Sequence, residues 1–310
     1  MQSGNAKDFL MSHFKVKIFV DSCILLSTMR EVEWLSEFDK VVCNTVLFSD
    51  FLYERNISTK VIWWLHDGGL YYESLPKDVL SAISNRNLYV YAVGPIAAEA
   101  FRKNVTGISQ IKNLLYGLPE FNITRRKHDK MIFIVVGSVQ KRKGQDIFVE
   151  AVSLLDKNYL DKAEFLVVGD DTSLYAQQLK TKVNNEHINV IFTGEKNRSD
   201  LEYLYGETDV CVCPSREDPM PITVTEGLMN CIPCIISSNI GTSEYIRNGE
   251  NGFVLCELTP VCLARCMSNL IDAPEHAVEV GRRGRKAYED KFSLDVFEKN
   301  IRKMLSDCLY

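Results

Sequence analysis

The sequence predicts an α/β protein of two successive domains, each a parallel sheet covered by helices, and three observations carry that expectation. Short β-branched or apolar runs alternate with longer amphipathic stretches, the pattern of strands buried on both faces and joined by helical crossovers. A length of 310 residues, 46% hydrophobic and 25% charged, is enough for two packed cores. A polar, charged stretch with neither hydrophobic period, residues 117–129, separates two such series and is placed as the interdomain linker.

In the first series the strand candidates are 15–20, 40–43, 60–65, 87–93 and 111–115, with helices at about 24–37, 47–54 and 95–103. Pro95 suits a first helical turn. In the second series the strands are 130–136, 164–168, 189–192, 210–213 and 233–237. The last segment, 294–309, carries Val296, Phe297, Ile301, Met304 and Leu305 at helical spacing and reads as a closing helix that packs on the rest. The expected domains are therefore 1–120, 121–292 and the closing helix within 293–310.

The overall charge of -5 is divided unevenly, with 16 basic and 14 acidic residues in 1–130 against 20 and 27 beyond. A mildly basic half suits an acidic acceptor or an anionic membrane surface. No Lys/Arg run with interleaved aromatics appears, which argues against a nucleic-acid partner. The cysteines sit mostly inside apolar segments such as 210–213 and read as reduced, buried small hydrophobes. Cys231 and Cys234 have redox or zinc spacing but lack a second such pair, so no metal site is assigned. Residues 1–13 are polar, unlike a signal peptide, and the apolar stretch 17–26 is broken by Asp21 and too short to span a bilayer. The expected location is the cytoplasm, with peripheral association at the inner face of the membrane as a further possibility. The Asn-x-Ser/Thr matches at Asn56, Asn104, Asn122 and Asn197 are then chance matches.

Two strand-loop-helix passages carry chemistry. In the first, a buried strand ends at Gly137-Ser138 and passes through the basic loop Lys141-Arg142-Lys143-Gly144 into a helix. Lys143 at the helix start, beside a glycine that admits a ligand to the backbone, makes an anion site; alone, the loop reads equally as a solvated cap. In the second, Cys213-Pro-Ser-Arg-Glu-Asp218-Pro-Met-Pro221 leads into a helix whose first turn is marked by Pro221, with Glu226 inside it. Asp218 and Glu226 flank a positively polarised helix end that can take phosphate oxygens. Glu226 can then accept from ribose hydroxyls and Asp218 from those of a sugar.

Across residues 130–253 these passages, with Phe192-Thr-Gly194, Leu204-Tyr205, Asp209-Val210, Glu226-Gly-Leu-Met, Ile240-Gly241 and Asn251-Gly252-Phe253, resemble the retaining glycosyltransferases called glycosyl transferases group 1, or family 4. The first half resembles that family's acceptor domain more weakly, through Cys43-Asn44-Thr45 and Trp63-Trp64-Leu65-His66-Asp67-Gly68-Gly69. The resemblance implies the GT-B architecture, two Rossmann-like domains facing a cleft, here with the N-terminal domain shortened by about one strand-helix-strand unit. It implies that Lys143 neutralises the diphosphate, Asp218 contacts the sugar, Glu226 holds the ribose, and His66 is the active-site histidine. Gly137, Ser138, Met220, Pro221, Ile222 and Thr223 then line the nucleotide-sugar site, and Gly194 and Glu195 flank the base. Where family patterns often carry arginine this chain has Ser138.

The implied reaction is transfer of a hexosyl group from a nucleotide diphosphate sugar, on UDP or GDP, to an acceptor hydroxyl with retention of configuration. The cations and helix end replace a metal, and no cofactor is expected. The acceptor is unidentified, in polysaccharide or glycoconjugate biosynthesis. A non-catalytic or half-enzyme subunit, whose N-terminal domain a partner chain completes, is one alternative, and a GT-B nucleotide-sugar epimerase or phosphorylase is another.

Overall fold

The computed structural model describes residues 40–46, 60–73, 75, 77, 80, 88–105, 107–108 and 110–307. The strand expected at 15–20 and the helices expected at 24–37 and 47–54 lie outside the described residues, as does Asn56. The chain divides into two compact units, one running up to Pro119 and resuming at Ser293, the other spanning Glu120–Phe292.

Among the described residues the first unit holds a four-stranded parallel sheet in the order β1 (Lys40–Cys43), β2 (Lys60–Leu65), β3 (Leu88–Ala92), β4 (Ile111–Asn113). Helix α1 (Gly69–Glu73) follows β2, and α2 (Pro95–Asn104) follows β3 with proline in its first turn. Val61 to Leu65 are all buried, which is why β2 reads as a continuous apolar run rather than an alternating one.

The second unit is a six-stranded parallel sheet: β5 (Met131–Val136), β6 (Ala163–Val168), β7 (Ile191–Phe192), β8 (Val210–Cys213), β9 (Cys234–Ile236) and β10 (Phe253–Val254), in the spatial order β10-β9-β8-β5-β6-β7. Its helices are α3 (Gln145–Ser153), α4 (Lys157–Lys162), α5 (Leu174–Asn185), α6 (Arg198–Glu207), α7 (Ile222–Met229), α8 (Pro260–Asp272) and α9 (Pro274–Lys291). Phe133 and Phe165 stack across β5 and β6 with centroids 5.5 Å apart, and Phe148 of α3 meets Phe165 edge-on. Truncating such a buried ring costs about 3–5 kcal/mol. Strand order reverses at β5: the chain leaves it toward β6 on one side, while β8 pairs with its other edge, Phe133 opposite Val210. The loops after β5 and β8 therefore diverge from a common point, the crevice where parallel sheets bind ligands.

The final helix, α10 (Leu294–Asp307), belongs to the first unit. Its buried stripe is Phe297, Ile301 and Met304, and Phe297 stacks on Trp64 at 5.7 Å. Lys40 donates to the Leu305 carbonyl at 2.7 Å, and a Cβ on Gly117 would lie 2.4 Å from that of Phe297, so only glycine permits this approach.

Four expectations are corrected. The unit boundary lies inside the segment read as a linker, but from Glu120 onward that segment is strapped to the second unit. Arg125 donates to the carbonyls of Tyr205 and Thr208 at the end of α6, and Arg126 lies 3.8 Å over the Tyr203 ring. Lys143 does not begin a helix: Lys141–Lys143 form a 3₁₀ turn, and α3 starts only after Gly144 reverses the chain at φ 74. Pro221 precedes α7 as its N-cap rather than standing in its first turn. The cysteines are not uniformly buried: Cys43, Cys211, Cys213 and Cys234 are, whereas Cys231 and Cys256 are exposed and Cys262 and Cys266 half-buried. Exposed Cys231 takes a left-handed conformation, φ 57, between α7 and β9. Asn197 has a local role, its side chain capping α6 through the Asp200 N–H at 2.9 Å.

Candidate active site

The loops after β5 and β8 are bolted together. A Cβ on Gly144 would lie 1.9 Å from the Pro214 carbonyl oxygen, so this left-handed glycine lets one loop rest directly on the other. Arg216 donates its backbone N–H to the Arg142 carbonyl at 2.8 Å and its guanidinium to both oxygens of Asp146, at 2.8 and 2.7 Å. Arg142 answers by donating to the Glu217 carbonyl at 2.8 Å. Inside the first loop the fully buried Gln145 donates to the Ser138 carbonyl at 3.1 Å and accepts from the Gln140 N–H at 3.3 Å.

This interlock brings Lys143 and Asp218 together across 75 residues of sequence, with Nζ 2.5 Å from Oδ2. Arg142 stands 3.6 Å from the same oxygen, while Oδ1 accepts from the Met220 N–H at 3.3 Å. Asp218 and Met220 are buried. Four residues past Asp218, α7 opens at Ile222-Thr223 with no side chain capping it, which leaves its first N–H groups free of a side-chain acceptor. Two cations and an uncapped helix start thus converge on the single carboxylate of Asp218, an arrangement that can receive phosphate oxygens.

Glu226, in the second turn of α7, is 3% exposed, and both its oxygens are engaged. Arg198 reaches Oε1 at 2.7 Å, and the buried Tyr205 hydroxyl donates to Oε2 at 2.7 Å. The Arg198 guanidinium also lies 4.0 Å over the Phe121 ring. Burial raises the carboxyl pKa, opposed by the bonds from Tyr205 and Arg198. Each oxygen keeps further acceptor capacity for a hydroxyl.

Gly137 and Ser138 share a pocket of about 140 Å³ with Gly169, Asp170, Glu195 and Lys196. Gly194, which precedes Glu195, takes φ 71, and its carbonyl accepts from the Gly169 N–H at 3.0 Å. Lys143, Asp218, Met220, Pro221 and Ile222 thus gather on the β8 side of the crevice, and Gly137, Ser138 and Glu195 on the β6 side. Arg198, Tyr205, Arg216 and Asp146 complete the arrangement without having been singled out from sequence. Tyr205 fell within a matched motif, and Arg198 directly follows the α6 cap, but nothing local announces what either touches.

In the first unit, His66 directly follows β2. Its Nε2 is sealed from solvent with no hydrogen-bond partner, and its ring lies 4.3 Å from that of Trp64. Burial pushes its pKa down to about 4, so the imidazole is neutral at pH 7. Neighbouring Asp67 accepts from the Val46 N–H at 2.5 Å and the Thr45 hydroxyl at 3.1 Å, tying β2 to the end of β1. Burial raises its pKa, opposed by those two bonds.

The sequence profile described as glycosyl transferases group 1 matches residues 119–287. Spore coat protein SA of Bacillus subtilis is 27% identical over 188 residues, 56% of this chain and 50% of that protein. D-rhamnosyltransferase WbpZ of Pseudomonas aeruginosa is 30% identical over 176 residues, 54% and 43% of the respective chains. The chain spans about half the length of the curated relatives it matches. Among solved structures, HepE from Anabaena in complex with UDP and glucose is similar at TM-score 0.77 and 18% identity, covering 98% of this chain and 89% of that one. Sucrose-phosphate synthase from Thermosynechococcus elongatus is similar at TM-score 0.76 and 17% identity, covering 93% and 80%. These likenesses show the GT-B fold. Among the described residues no helix is long and apolar enough to cross a membrane.

Proposed function

The chain belongs to the glycosyl transferases group 1 family, and from that premise we propose that it transfers a sugar from a nucleotide diphosphate donor to an acceptor hydroxyl. The observation that supports this reading most is the cluster of Lys143, Arg142 and the uncapped start of α7 around Asp218. A leaving diphosphate develops negative charge as the glycosidic bond breaks, and preorganised cations and N–H dipoles stabilise that charge without reorganising. In this reading Lys143 exchanges its bond to Asp218 for the phosphate oxygens, which frees the carboxylate to accept from the donor sugar's hydroxyls. Those cations and the helix end carry the leaving-group charge, so the reading assigns that task to no metal.

Glu226, steadied by Arg198 and Tyr205, accepts from the ribose, and the pocket beside Gly137, Ser138 and Glu195 takes the base. UDP is the first carrier to try, since HepE was solved with it. Attack of the acceptor on the face the diphosphate leaves, with the departing phosphate taking its proton, retains the anomeric configuration. His66, neutral and with an unpartnered nitrogen, serves on the acceptor side as a hydrogen-bonding group rather than a cation.

Thermal unfolding with a panel of UDP-, GDP- and ADP-sugars tests the reading. One nucleotide class raises the midpoint, and Lys143→Ala and Glu226→Ala abolish the rise; a donor at a hundred times its dissociation constant contributes about 2.7 kcal/mol. A folded protein that none of the panel stabilises overturns it.

A further inference from the structure

Away from the donor loops, the connection from β10 to α8 carries a pair of thiols in contact. Cys256 and Cys262 have their Sγ atoms 3.1 Å apart, Cys256 exposed and Cys262 half-buried. Cys262 is the third residue of α8, inside the turn capped by the Thr259 hydroxyl, which accepts from the Cys262 N–H at 3.3 Å. A thiolate there faces the positive end of a 13-residue helix. One turn on, Arg265 donates to the Cys256 sulfur at 3.7 Å. Bonds from Thr259 and Cys256 lower the Cys262 pKa, whereas burial pushes Cys266, on the next turn, up to about 12 and Cys213 up to about 11. An accessible, thiolate-favouring cysteine touching a second thiol is the arrangement of an oxidation-sensitive dithiol.

We propose that Cys256 and Cys262 form a peroxide-responsive site that closes to an intrachain disulfide. The Cys262 thiolate attacks one oxygen of a hydroperoxide such as hydrogen peroxide, the O–O bond breaks, and hydroxide leaves as water with the thiol's proton. The Cys256 sulfur then attacks the resulting sulfenic acid: the S–S bond forms, the S–O bond breaks, and a second water leaves. Two thiols and one peroxide give one disulfide and two waters, and a dithiol reductant reverses the change. Cys262 is the attacking sulfur and Cys256 the resolving one.

The sequence makes the test direct, because both residues fall in one tryptic peptide, 248–265. The intact protein is treated with one equivalent of hydrogen peroxide, alkylated and digested without reduction. The expected peptide is unalkylated at both cysteines and lighter than the dithiol form by two hydrogens, and dithiothreitol restores two alkylation sites. Recovery of that peptide doubly alkylated, or joined to a different peptide, overturns the pairing. Cys256→Ser should leave a sulfenic acid on Cys262 that dimedone traps, and Cys262→Ser should leave Cys256 unoxidised at the same dose. Dimedone on Cys256 in the second variant and none on Cys262 in the first reverses the assignment of attacking and resolving sulfur and overturns the mechanism.

Discussion

Two places in this molecule bury titratable groups at the carboxyl ends of parallel strands, and they do so differently. Just past β2, half-buried His66, with its Nε2 sealed from solvent, and buried Asp67 meet neutral partners: the carboxylate a backbone N–H and a hydroxyl, the imidazole the edge of an indole. Desolvation governs both, and it moves each toward its uncharged form. At the ends of β5 and β8, each buried carboxylate is met by a cation, Asp218 by Lys143 and Glu226 by Arg198. Desolvation makes the first region answer to pH, whereas the ion pairs of the second answer to competing anions and to salt as well.

The largest expected effect breaks the paired region. Lys143→Ala lowers transfer activity roughly 10²–10³-fold, the size of losing one preorganised charge-stabilising donor. Donor binding by the wild type also weakens as salt rises, and the variant loses most of that dependence; steady-state rates across a salt series measure both. An undiminished rate would show that the cation cluster has nothing to do with the leaving group.

Next in size is Glu226→Ala, which leaves the Tyr205 hydroxyl buried without an acceptor and costs about 1–3 kcal/mol of stability in denaturant unfolding. Tyr205→Phe in the same background restores part of the loss, because the orphaned hydroxyl goes with it. If the double variant is no more stable than Glu226→Ala, the pair is not coupled.

The smallest effect belongs to the desolvated region and carries a definite sign. The unfolded chain binds the His66 proton near pH 6.5 and the folded chain only near pH 4, so the unfolded state holds more protons between those values. Stability therefore falls as pH drops through 6.5 toward 4. Between pH 6.5 and pH 5 this single group accounts for roughly 1.5 kcal/mol. His66→Asn should flatten the acid limb of the stability profile by about that amount, measured as the difference from wild type so that the other histidines cancel.

How much of this was legible depends on how local the signal was. The strands at 40–43, 60–65 and 210–213 appear at the expected bounds, and α2 and α10 open at the expected residues, since each is a short apolar run or a helical stripe set off by turn residues. The β7 strand is shorter than expected, and β10 was anticipated only as a matched motif, because two-residue strands have no period to read. The start of α3 was misread for a physical reason: Lys141-Arg142-Lys143 has ordinary helix propensity, and what delays the helix is the left-handed Gly144 resting on Pro214, a residue 70 positions away. Asp218 and Glu226 stood out as carboxylates flanking a helix start, while their partners did not, since an arginine or tyrosine on another helix shows no sign of what it will touch.

The sequence by itself determined the α/β class, the two series of strands and helices, the strand-loop-helix passages after β5 and β8, and the cations and carboxylates those passages carry. All of these follow from period, turn chemistry and charge within a few tens of residues. Only the tertiary structure decided that the two loops lock through Arg216 and Asp146, that Lys143 closes on Asp218, that Glu226 is held by Arg198 and Tyr205, and that Cys256 meets Cys262. Strand order places the ends of β5 and β8 side by side, and such contacts depend on that packing rather than on any pattern along the chain.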